Sequence, residues 1–211
     1  MAQNISASHA VEVNAHSAGH AEENAEHSSE NRKFAMWLFL ASEIMFFGVL
    51  IAGFIFARLA HPDEHSVLNI PITSLNTFLL LMSSFTVVRA LAAIENNDRL
   101  KFLRSLALTG LLGTLFLAIQ MFEYTNLGHE GLTLSGTTGD PRSIFGMAFF
   151  TLTGFHGLHV LIGVLWLGRV FWNAFNGKYT KEDHFDVEFF GLYWHFVDVV
   201  WILIFTIVYL I

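Results

Sequence analysis

The residues that could carry chemistry are few, and most lie inside long apolar stretches. Glu43 sits in Ala41-Ser42-Glu43-Ile44-Met45-Phe46-Phe47. A carboxylate at membrane depth is strongly disfavoured by desolvation, so Glu43 is expected to be protonated or hydrogen-bonded inward. Two roles fit it equally: a proton-linked or lipid-contacting group, or a neutral acid that helps pack two helices. His156 and His159 lie in Thr153-Gly154-Phe155-His156-Gly157-Leu158-His159 and share a helical face with Gly163. A glycine there lets a neighbouring backbone approach, and the histidines can then hydrogen-bond across the gap. Two histidines three residues apart could instead ligate a metal or a haem. That use needs a histidine on a facing helix, and His195 is the candidate. Structural hydrogen bonding is the favoured reading.

Further along, Tyr193-Trp194-His195-Phe196-Val197-Asp198-Val199-Val200-Trp201 puts Trp194, Asp198 and Trp201 on one face, with His195 nearby. The spacing suggests that Asp198 pairs with His195 or with the histidines at 156 and 159. Gln120, Glu123 and Tyr124 share a face near the end of another apolar stretch. Glu123 is placed with the histidines, Trp194, Asp198 and Trp201 in a structural polar network, and its nearness to the boundary predicts a solvated carboxylate. None of these groups forms a Ser/His/Asp set, a phosphate-binding glycine loop or a cluster of three or more metal ligands. With no cysteines, the sequence excludes disulfides, thiolate metal sites and cysteine nucleophiles.

The elements that must hold these residues follow from composition. Of 211 residues, 54% are apolar and only 14% charged, against roughly 25% charged in an average soluble domain. There are 22 phenylalanines and 3 prolines. A water-soluble fold of this size could not keep so much apolar surface from solvent. The net charge of −7 is concentrated at the start, where Glu12, Glu22, Glu23, Glu26 and Glu30 lie, so the body is nearly neutral and no nucleic-acid partner is suggested.

Residues 1–33 read as a disordered polar tail, rich in Ala, Ser, Asn, Glu and His and lacking an apolar stretch. The basic start and apolar core of a secretory signal are missing. Its four histidines (His9, His16, His20, His27) are irregularly spaced, which favours solvated disorder over a metal site. Residues 34–211 form a transmembrane domain. About 20 apolar residues in helix cross the hydrocarbon of a bilayer, and five stretches qualify: 34–57, 72–94, 103–124, 144–172 and 187–211. The predicted fold is therefore all-α, a membrane bundle of five helices. Arg32, Lys33, Arg89, Arg99, Lys101, Arg104, Arg169, Lys178 and Lys181 fall on one side, and only Arg58 and Arg142 on the other. The positive-inside rule then places the N-terminus in the cytoplasm and the C-terminus in the periplasm of a bacterial inner membrane.

The runs Gly154-Phe155-His156-Gly157-Leu158-His159-Val160 and Tyr193–Trp201 closely resemble subunit III of the haem–copper terminal oxidases. Ser42-Glu43 followed by Met45-Phe46-Phe47, and Gln120 with Glu123-Tyr124, fit the same family pattern. The resemblance covers residues 34–211. It implies a subunit without redox centres of its own, the haem and copper residing in partner subunits. It further implies packing against subunit I, alongside subunit II and a small subunit IV, bound phospholipid, and support of proton uptake in a complex that oxidises cytochrome c and reduces dioxygen to water. The sequence leaves open whether the complex joins a respiratory supercomplex. On this resemblance Glu43 matches the family's carbodiimide-reactive glutamate, and His156, His159 and His195 are structural.

Longer members have seven helices, the first two forming a lipid-filled V with the rest. This chain resembles the five-helix bacterial form, so which of its residues touch lipid does not carry over. Quinol-oxidase members resemble it with Asp at the position of Glu43 and Thr at that of Phe155, so the residues here tilt toward a cytochrome c oxidase. The alternatives are a quinol oxidase subunit III, a subunit accompanying nitric oxide reductases, a haem-binding electron carrier using His156 or His159 with His195, and a proton-coupled transporter using Glu43. Transport is disfavoured by the lack of an inverted repeat or paired broken helices.

Overall fold

A computed structural model describes residues 2–60, 69–129 and 141–211, with side chains described from residue 30 onward except at 141–143. Among the described residues the structure is all-helical. The helices are α1 (Ala2–Ala60), α2 (Ile70–Glu95), α3 (Arg99–His129), α4 (Pro141–Phe175) and α5 (Phe185–Phe205), which runs on into a π-helical turn at Thr206–Leu210. Each contains a span long and apolar enough to cross a bilayer: Glu30–Ala60, Ile70–Glu95, Arg99–His129, Ile144–Phe175 and Phe185–Leu210. The five expected spans are therefore present, each extended by a few polar residues. The predicted connections at residues 61–64 and most of 136–141 lie outside the described residues.

The helix ends are written in the sequence. The Ile72 amide donates to the Asn69 side-chain oxygen at 3.3 Å, capping α2, and Pro71 occupies its first turn, where a missing N–H has no consequence. At the other end Asn97 adopts a left-handed φ of 56°, which lets the Asp98 amide reach back to the Ala93 carbonyl at 2.8 Å. Asp98 then caps α3 by accepting the Lys101 amide at 3.1 Å, while the Lys101 ammonium sits 2.7 Å from its other oxygen. Lys101 holds the Asp98 carboxyl below its usual range. The cap's contribution is thus present above the ordinary carboxylate pKa and is lost as pH falls through the lowered value. Gly177, at φ 73°, ends α4, and the Arg99 guanidinium donates to the Phe175 carbonyl beside it at 2.6 Å.

The chain divides into two units, residues 1–44 and 45–211. In the first, α1 is helical from Ala2 where the sequence suggests a disordered tail. The local reason is composition: Ala and Glu are strong helix formers, and there is no proline to interrupt them. The segment carries no apolar stripe, so a role in packing is not expected of it. Deleting residues 1–30 should leave assembly with partner subunits intact; loss of the complex on a native gel would assign the segment a docking role.

In the second unit α2 packs on α3, α3 on α4, α4 on α5 and α5 back on α2, closing a four-helix ring. Residues 45–60 of α1 lie against this ring: Phe54 meets Phe145 with ring centres 5.5 Å apart, and Arg58 donates to the Ile207 carbonyl in the π turn at 2.8 Å. The ring is apolar outside, and inside it small polar side chains lie among buried aromatic and aliphatic ones. Thr73, Asn76, Ser83, Thr109 and Thr153 are fully buried, while Phe56, Leu111, Leu165 and Trp172 stand exposed. Such a surface would be untenable in water and is what a lipid solvent requires.

Candidate functional site

The interior of the second unit is organised around two tryptophans of α5. Trp194 is 1% exposed, and its indole lies between two glycines. A Cβ on Gly113 of α3 would meet the ring at 2.8 Å, and one on Gly163 of α4 at 2.7 Å. Its indole N–H donates to the Ser83 hydroxyl of α2 at 2.9 Å, so four helices converge on one side chain. Gly163 thus admits a side chain, where the sequence suggested the close approach of a backbone. Close approach needs glycine in both cases, but an indole fixes the position of α5 by shape. Two turns on, Trp201 donates to Thr77 at 2.9 Å and stacks on the His156 ring at 4.8 Å, with Phe116 edge-on to both.

The three histidines are held separately. His156 is 1% exposed, framed by Trp201, Phe116 and Phe47, and neither ring nitrogen has a hydrogen-bond partner among the described residues. The His159 Nδ1 lies 2.7 Å from the Phe155 carbonyl. A carbonyl only accepts, so Nδ1 carries the proton. The Tyr193 hydroxyl donates to the His159 carbonyl at 2.9 Å. His195 hydrogen-bonds through Nδ1 to the Ser84 hydroxyl of α2. Ser84 of α2 meets both His195 and Asp198, so the bond expected between these two neighbours on α5 is made instead to a hydroxyl on another helix. Asp198 is 5% exposed and lies beside Ser84, and its Oδ1 is unpartnered.

Glu123 requires a correction. Its position near the boundary predicts a solvated carboxyl, yet it is only 4% exposed. Its Oε1 accepts from Thr73 at 2.9 Å and from Tyr209 at 3.0 Å, joining α2, α3 and α5. The physical reason is that α3 continues as helix to His129, one turn and more past the expected end, so that Glu123 lies within the packed bundle. Nearby, the Tyr124 hydroxyl donates to Thr153 at 2.8 Å. Glu43 belongs to the first unit and is half-buried. There the Ser42 hydroxyl donates to the Phe39 carbonyl at 2.7 Å.

Thr73, Asn76, Thr77, Ser83 and Ser84 were not among the candidates, although they supply the α2 half of the network. The signal was available: in an otherwise apolar span Thr73, Asn76, Thr77, Ser83, Ser84 and Thr86 fall at helical spacings, interrupted only at Leu80, and so share a stripe. Among the described residues no group of three or more His, Asp or Glu side chains could hold a metal.

This arrangement defines a class first: a multi-pass membrane protein whose helices are joined by a network of aromatic rings and hydroxyls rather than by a catalytic constellation. A family model for cytochrome c oxidase subunit III matches residues 12–211. The chain is 40% identical over 184 residues to cytochrome c oxidase subunit 3 of Synechocystis sp., covering 85% of this chain and 75% of that one. It is 37% identical over 194 residues to cytochrome c oxidase subunit 3 of Bacillus sp. (strain PS3), covering 90% of each. It is 32% identical over 203 residues to cytochrome bo(3) ubiquinol oxidase subunit 3 of Pseudomonas aeruginosa, covering 94% and 93%. The chain belongs to the cytochrome c oxidase subunit III family. It is a subunit III of a terminal oxidase of the respiratory chain, and it associates with other oxidase subunits.

Proposed function

We propose that this chain is the non-redox subunit III of a proton-pumping cytochrome c oxidase in a bacterial cytoplasmic membrane. The observation that carries the non-redox part is that the chain itself encloses or bonds each candidate haem ligand. His156 is stacked on Trp201, His159 is bonded to a carbonyl of its own helix, and His195 is bonded to Ser84. Haem and copper then reside in partner subunits, with subunit I the main neighbour and subunits II and IV beside it. Phospholipid contacts the apolar outer faces. The Lys and Arg distribution supports an N-terminus on the cytoplasmic side and a C-terminus in the periplasm. Glu43, in the middle of the first span, acts as the proton- or lipid-linked carboxyl. His156, His159, His195, Asp198, Trp194, Trp201 and Glu123 form the structural network that keeps the bundle rigid beside its redox partner.

Glu43 and Phe155 support cytochrome c as the donor. Similarity over nearly the full length of both chains to a ubiquinol oxidase subunit supports quinol as the second reading. Oxygen uptake by the purified complex separates them. Turnover with reduced cytochrome c but not with quinol is expected, and rapid quinol oxidation without cytochrome c would move the chain to the quinol branch.

A further inference from the structure

Among the described residues, seven of the eight buried side-chain polar atoms without a hydrogen-bond partner belong to a contiguous column inside the four-helix ring. They are the Glu123 Oε2, both amide atoms of Gln120, the Asn76 Oδ1, both ring nitrogens of His156 and the Asp198 Oδ1. Contacts connect their carriers. The Asn76 amide donates to the Phe116 carbonyl at 3.3 Å, one turn from Gln120; the Phe116 ring touches His156 and Trp201; and Asp198 lies one turn from Trp201 on α5. The Tyr124 hydroxyl gives its proton to Thr153, so its oxygen can only accept from the neighbouring Gln120 nitrogen, and the Gln120 Oε1 is left without a donor. In a well-packed interior each such atom left unpaired loses its hydration with nothing in return, and native folds rarely carry more than a few. Seven in one column is too many to be a dry packing defect.

The column also begins at a cavity. A space of about 310 Å³ is lined by Asn69, Ile72, Phe122, Glu123, Asn126, Leu127 and His129, at the end of the bundle where α2 starts and α3 finishes. Glu123 is common to both: its Oε1 is occupied by Thr73 and Tyr209, and its free Oε2 is left for a further donor. The far end, Asp198, lies eleven residues before Tyr209 on α5, ~16 Å away at 1.5 Å per residue.

We propose that this column is a water-binding site: a short file of internal waters held by Glu123, Gln120, Asn76, His156 and Asp198, exchanging through the cavity at Glu123. A buried water makes about three hydrogen bonds, so two to four waters would satisfy the column. The two buried carboxyls thereby share one hydrated path and face the same aqueous compartment. Gln120 is the central member, since its amide both donates and accepts and can link waters on either side.

Hydroxyl-radical labelling of the assembled oxidase in native-lipid nanodiscs tests this, because radicals formed on internal waters mark side chains that bulk solvent never reaches. Phe116 and Trp201, 0% and 1% exposed, should be labelled in the wild-type protein, and Gln120→Leu should reduce their labelling several-fold while leaving exposed Trp172 unchanged. Absence of label on Phe116 and Trp201 in the wild type overturns the proposal, as does equal labelling in Gln120→Leu. Ordered density within hydrogen-bonding distance of the Gln120 amide in a high-resolution map of the complex is expected; side chains of the column re-paired with one another and no density between them would equally refute it.

Discussion

Gly163→Ala is expected to destabilise the subunit by about 1–3 kcal/mol, the range for overfilling a packed core. The new methyl would lie 2.7–2.8 Å from the Trp194 ring, closer than any carbon pair tolerates. The indole has little room to retreat, because on its other edge the Gly113 position of α3 lies so near that a Cβ there would also come within 2.8 Å, and its N–H is tied to Ser83. Relief must therefore come from separating α4 and α5. Because large membrane complexes unfold irreversibly, the readout is the half-life of the assembled oxidase at elevated temperature. About a tenfold shortening corresponds to ~1.4 kcal/mol on the unfolding barrier. Gly157→Ala, where nothing lies within 4 Å, is the matched control and should behave as wild type. A Gly163→Ala complex as durable as that control would show that Trp194 is not wedged.

The second large effect belongs to Glu123. Glu123→Ala takes its acceptor from the buried Tyr209 hydroxyl, leaves the Thr73 hydroxyl only the Asn69 carbonyl of its own helix start at 3.0 Å, and opens a void between α2, α3 and α5. Interhelical hydrogen bonds in membranes contribute about 0.6 kcal/mol each on average and up to about 1.7. Two lost bonds with the void give an expected loss of about 2–4 kcal/mol. Glu123→Gln keeps an acceptor oxygen in place and should retain most of the stability. Dissociation of the subunit from the oxidase during size-exclusion chromatography reads the difference. If the Gln variant fails as badly as the Ala variant, the charge or proton of Glu123 matters more than its hydrogen bonds.

The physics behind these two sites explains what could be read from the chain alone. Five spans were legible because crossing a bilayer demands a long apolar run and nothing else in the sequence imitates one. Trp194, Trp201 and the histidines stood out because large or ionisable groups at membrane depth must have partners. The partners themselves did not stand out. Ser83, Ser84, Thr73 and Thr77 are small, helix-compatible and inexpensive in lipid when bonded to their own backbone, as Thr77 is to the Thr73 carbonyl at 2.7 Å. Their second bonds, to Trp194, His195, Glu123 and Trp201, depend on the rotation of α2 about its axis, which no local rule fixes. Glu123 was misplaced for a related reason: where a span ends in lipid is set by packing of its neighbours, and here Tyr209 of the π turn reaches over to cover it. Asp198 drew attention to His195, its neighbour in sequence, whereas Ser84 on another helix meets both.

The reading of this chain as a subunit without a redox centre is tested most directly by a reduced-minus-oxidised visible spectrum. It would be taken on the oxidase purified through this chain in mild detergent, and again on the chain after its partners are stripped away. The complex should show haem bands and contain a large redox subunit, and the isolated chain should be colourless. A haem spectrum that stays with the isolated chain, and disappears in His156→Phe or His195→Phe, would make those histidines ligands and contradict the account.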